Sequence, residues 1–182
     1  GWQMFHDGPE PNAAMFALKK ASEPVHVMFN DHTRRIQIVN HEPDSVADAS
    51  VRLRFINTDG RIVADRRLAA AAAPTAVTDL DSIALPDGLS DVYFVALELR
   101  DATGRLLSDN FYWRAKDSAP DDLRQLEKMP AAKLTVKSKM RQQDGRTYVD
   151  LVFTNNSRVP AVMTHLQLHR GLKGERVLPA FY

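Results

Sequence analysis

Apolar and polar residues alternate along most of this chain with a period of two. In Asp91–Ala102 the residues Tyr93, Val95, Leu97 and Leu99 share one face, and Phe94, Ala96, Glu98 and Arg100 share the other. That is the pattern of a half-buried strand. Thr103-Gly104 supplies a turn, and Arg105–Lys116 predicts the return strand. Its residues Leu107, Asp109, Phe111 and Trp113 are expected on the inward face, with Tyr112 outward alongside Phe94. Two strands cannot stand alone in water, so a partner sheet is required. Val25–Asn30, Arg34–His41, Ala49–Asn57 and Ile62–Leu68 alternate in the same way, with Val27, Phe29, Ile36, Ile38, Val51, Leu53 and Phe55 inward. A further strand is expected within Ala69–Leu85. Turns at Asp59-Gly60 and Pro86-Asp87-Gly88 punctuate the run. About seven short strands at this spacing predict an immunoglobulin-like β-sandwich over Val25–Lys116.

Three segments depart from the pattern. Asn12 can cap a short helix, Ala13–Ala21, that Pro24 ends. Asp117–Ala132 predicts a linker with a helix that opens near Ser118-Ala119-Pro120 and aligns Leu123, Leu126 and Met129. A second β unit then begins at Lys133. Leu134, Val136 and Met140 alternate in Lys133–Gln142, and Val149, Leu151 and Phe153 in Arg146–Asn156, around an Asp144-Gly145 turn. Ala161–Arg170 predicts a third strand with Val162, Leu166 and Leu168 on one face. Three strands are about half of a sandwich and leave an apolar face open. The expected fold is therefore all-β: an immunoglobulin-like sandwich at 25–116, a linker at 117–132 and a partial second sandwich at 133–182. Open strand edges in that second unit predict self-association.

Composition narrows the function. Twenty-four basic residues nearly cancel 23 acidic ones, and no basic block stands out, which argues against nucleic acid as a partner. No apolar run approaches the roughly 20 residues of a membrane span. The chain has no cysteine, so redox compartment is not legible. It starts GWQMF, without an initiator methionine, and reads as a fragment of something longer.

Candidate chemistry is sparse. His165 and His169 lie four apart on the expected strand, roughly 13 Å, too far for one metal ion. His26, His32 and His41 are scattered. Asn155-Asn156-Ser157 fits both a glycosylation triplet and a β-turn. No phosphate loop or nucleophile elbow occurs. No catalytic, cofactor or metal site is expected. Phe94 and Tyr112, as outward aromatics, are the candidates for contact with a neighbouring domain or a glycan.

Several segments resemble a known family. Pro11–Val27 (PNAAMFALKKASEPVHV), Leu107–Trp113 (LSDNFYW), Val152–Ala161 (VFTNNSRVPA) and Leu178–Tyr182 (LPAFY) are similar to the C-terminal region of glycoside hydrolase family 2, in the branch of exo-β-glucosaminidases, β-mannosidases and endo-β-mannosidases. In that family a (β/α)₈ barrel precedes two immunoglobulin-like sandwiches. The resemblance implies that residues 1–24 are the end of a barrel and its connecting helix. It implies a non-catalytic accessory role, with the barrel of the parent chain as partner and a periplasmic or secreted parent. The family's two catalytic glutamates belong to barrel strands. None of Glu10, Glu23, Glu42, Glu98, Glu127 or Glu175 matches their motifs. The competing reading is a stand-alone adhesion or carbohydrate-binding module that takes a β-linked oligosaccharide.

Overall fold

In a computed structural model, which describes residues 4–5, 11–171 and 174–177, the chain is mainly β. Helix α1, Ala13–Ala21, opens where Asn12 accepts hydrogen bonds from the Ala14 and Met15 N–H groups and closes with Lys19 and Lys20 in its last turn. None of its residues is fully buried. Strands β1 (Val25–Asn30), β2 (Arg35–Asn40), β3 (Val46–Asn57), β4 (Ile62–Ala72), β5 (Ala76–Ser82), β6 (Val92–Arg100) and β7 (Leu106–Ala115) follow. They form a three-stranded sheet, β1-β2-β5, and a four-stranded sheet, β4-β3-β6-β7. All pairings in both are antiparallel.

The two sheets close over one core. Val27 and Phe29 of β1 and Ile36 and Ile38 of β2 meet Val51, Leu53 and Phe55 of β3 and Tyr93, Val95, Leu97 and Leu99 of β6. Phe55 packs edge-on against Phe29, with ring centroids 6.5 Å apart. These are the inward residues that the period-two pattern predicts for β1, β2, β3 and β6.

After β7 a short 3-10 turn, Arg124–Lys128, carries the chain to β8 (Leu134–Gln143) and β9 (Arg146–Asn155). The linker helix is thus shorter than expected and begins well after Pro120. The β8–β9 turn places Asp144 at φ 52° and Gly145 at φ 72°, the two positive angles that a tight hairpin turn requires. Among the described residues β8 and β9 pair only with each other, as a two-stranded sheet. By register, Val136 lies opposite Phe153 and Met140 opposite Val149, so the apolar residues gather on one face. That face is open: Met140 is 72% exposed.

One expected strand is absent. Ala161–Arg170 is irregular, with only an isolated bridge between His169 and Arg176. Pro160 removes a backbone donor at its entry, and Met163 takes a positive φ of 54°, which breaks an extended run.

Candidate functional site

The segments Lys19–Val27 and Leu107–Trp113, far apart in sequence, meet. Lys20, at the end of α1, donates to Glu23 at 2.7 Å and pairs with Asp109 of β7. The Ser108 hydroxyl donates to Glu23 Oε2 at 2.8 Å and accepts from the Val27 N–H at 3.2 Å. The Asn110 amide nitrogen lies 3.2 Å from the Val27 carbonyl, 3.2 Å from His26 Nε2 and 2.7 Å from the Tyr112 hydroxyl. That hydroxyl accepts the Phe29 N–H at 3.3 Å.

This arrangement has a plain cause. β1 pairs with β2 along one edge, and its other edge needs partners for its backbone groups. β7 runs alongside that edge and supplies side chains rather than a ladder. The core-facing side of β7 therefore meets backbone and is polar. Burial alone would push the Glu23 carboxyl up, but the bonds from Lys20 and Ser108 outweigh it and hold the carboxyl below its ordinary range. Burial would likewise lower the Lys20 ammonium, yet Asp109 and Glu23 raise it. The Tyr112 phenol is pushed up, chiefly by burial.

The facing of β7 corrects the sequence expectation. Tyr112 points inward to β1, with the Arg114 guanidinium 4.6 Å from its ring centroid. Phe111 and Trp113 point outward and are 43% and 39% exposed. Phe94 does lie on the outer face, but it is fully buried there, stacked on Phe111 with ring centroids 5.2 Å apart. Ser108 and Asn110 alternate in phase with Tyr112, but Asp109 alternates in phase with Trp113, so the strand's own sequence does not decide its facing.

The rest of the outer face is charged. Arg54 and Arg100 both bind Glu98, at 2.7 and 2.8 Å, and Arg52 binds Asp65 at 2.6 Å. Near the linker a depression of about 750 Å³ is lined by Asp91, Lys116, Asp122 and Arg124. Its charges also pair, Lys116 with Asp91 and Arg124 with Asp122, each at 2.6 Å. Among the described residues no group of three or more histidines and carboxylates is placed to hold a metal. His169 contacts Gln167 and the Gly174 carbonyl, at 3.4 and 3.1 Å. Asn155 accepts from the Ser157 N–H at 3.0 Å, as a turn does. Glu10 lies outside the described residues.

A two-sheet antiparallel sandwich followed by a second β unit defines a protein of the immunoglobulin-like class. Residues 32–116 match the family of mannosidase Ig/CBM-like domains, and residues 110–182 match the exo-β-D-glucosaminidase Ig-fold domain. The chain belongs to these immunoglobulin-like domain families, which occur in glycoside hydrolases of family 2. An exo-β-D-glucosaminidase of Arthroderma benhamiae is 27% identical over 194 residues, covering 100% of this chain and 22% of the relative. An exo-β-D-glucosaminidase of Streptomyces avermitilis is 31% identical over 125 residues, covering 67% of this chain and 14% of the relative. The exo-chitosanase CsxA of Amycolatopsis orientalis superposes with a TM-score of 0.75 at 22% identity, over 87% of this chain and 21% of that one, a likeness in fold. The chain thus spans about a fifth of the length of the first of these relatives.

Proposed function

We propose that this chain is the non-catalytic accessory β-sandwich region of a family 2 glycoside hydrolase. The parent would hydrolyse a β-glycoside of the β-glucosaminide or β-mannoside type. Its catalytic barrel would be the partner that this region supports. The observation that carries the reading is the succession of two matched domain families along one chain, residues 32–116 and then 110–182. Division into a first sandwich at 25–116, a linker at 117–132 and a second unit at 133–182 is part of the proposal.

The chemistry supports it. Retaining hydrolysis needs two carboxyl groups about 5–5.5 Å apart across one bond. Glu98 is clamped by Arg54 and Arg100, and Glu23 by Lys20 and Ser108, so both serve packing. The test is an assay of the purified chain, beside the longer parent, on aryl β-glucosaminide and aryl β-mannoside. Turnover is expected from the parent alone. Turnover by the purified chain would overturn the reading. So would a gene that encodes no barrel.

A further inference from the structure

We infer that the outward apolar strip of the four-stranded sheet, Phe111, Trp113 and Ile62, is the docking face for the domain whose polypeptide leads into α1 in the longer parent. This inference rests on the accessory-region reading above. By register, Trp113 lies opposite Phe94, Phe94 opposite Ile56, and Ile56 opposite Ile62, so one row crosses all four strands. The row is half open: Ile62 is 50% exposed, while Phe94 beneath is fully buried. Phe94 stacks on Phe111 and holds that ring in place. The strip is thus a fixed surface and not a set of loose side chains.

Its borders say what covers it. At one end the linker already lies over the face, where Val92 is fully buried and its N–H donates to the Gln125 side chain at 2.7 Å. On the other side α1 is pinned by Lys20 to Asp109. Asp109 shares the outer face with Glu98 and stands two residues before Phe111. The last turn of α1 therefore stands beside the strip, and a domain that enters through this helix would extend a contact the chain already makes.

The surrounding chemistry selects protein over sugar. A glycan needs directional polar partners around its aromatic platform. Here Arg54, Arg100, Arg52, Glu98 and Asp65 are engaged with one another. An apolar strip bordered by charges already bound to one another fits a second protein surface.

Hydroxyl-radical footprinting read by mass spectrometry resolves Phe111 and Trp113 individually. The comparison is between the 182-residue chain and the longer parent. Leu106, exposed at the start of β7 and not part of the strip, serves as the reference. The expected result is several-fold lower modification of Phe111 and Trp113, relative to Leu106, in the parent than in the chain alone. Equal modification overturns the inference while leaving the accessory reading intact. Protection of the two rings in the chain alone by β-glucosamine or β-mannose oligosaccharides also overturns it, in favour of a sugar platform. A gene with no domain ahead of α1 removes the accessory reading and this inference together, and is told apart by sequencing.

Discussion

Strands β6 and β9 are both rich in apolar residues, and their fates are opposite. β6, VYFVALELR, has a hydrogen-bonded neighbour on each edge, and residues of both its faces are buried. β9, RTYVDLVFTN, has one neighbour, and none of its residues is fully buried. Both alternate, and both carry valine, leucine and phenylalanine. The difference lies in what stands next to them. A strand's sequence says that it can be covered; only the rest of the fold decides whether it is.

Stability should divide along the same line. Phe55→Ala, in the closed core, is expected to cost about 3–5 kcal/mol in urea unfolding, whereas Val152→Ala on open β9 should stay within about 0.5 kcal/mol. Amide exchange should agree, with β6 opening only in global unfolding and β9 by local opening. Equal protection of the two strands would break the comparison.

Ser108→Ala tests the seam that completes the closed unit. It leaves the Val27 N–H without its acceptor, and the expected loss is roughly 1–3 kcal/mol. If that variant unfolds with no loss, water replaces the hydroxyl and the seam is not needed for closure.

Gly60 tests the junction between the two regions. Its φ is 87°, and a Cβ there would stand 1.8 Å from the Arg158 carbonyl oxygen. Gly60→Ala should cost about 1–2 kcal/mol for the left-handed backbone alone. The clash should also loosen the loop around Val159, seen as faster amide exchange there. Unchanged exchange at Val159 would show that the two regions do not depend on this contact.

The smallest effect concerns acid. Asp101 accepts from the Thr103 hydroxyl and from Arg105, and its carboxyl falls from 3.8 to about 2. A carboxyl lowered in the folded state adds stability above its unfolded pKa and loses it as pH falls through the folded value. Asp101→Asn should flatten the stability profile between about pH 4 and pH 2. An unchanged acid limb would mean that this turn does not contribute.

Much of this was legible. Alternation placed β1, β2, β3 and β6 and their inward residues, because there apolar side chains face apolar side chains. The cap at Asn12 and the turns at Gly60 and Gly145 followed from local chemistry. β7 was misread because its inward side meets the backbone edge of β1, so polar residues face in and Phe111 and Trp113 face out. Nothing within β7 alone reports that neighbour. The expected strand at 161–170 failed because alternation at Val162, Leu166 and Leu168 says nothing of Met163's backbone or of an edge to pair with. The seam was legible only as two unrelated motifs.

The seam divides mutational tolerance unevenly between its two strands. Ser108, Asn110 and Tyr112 bind the peptide groups of Val27 and Phe29 and not their side chains. Any residue that is apolar and of similar volume at 27 or 29 presents the same N–H and C=O. The three β7 positions have no such latitude, since each bond needs its own hydroxyl or amide. A saturation library should therefore accept many aliphatic letters on β1 and few at Ser108 and Asn110.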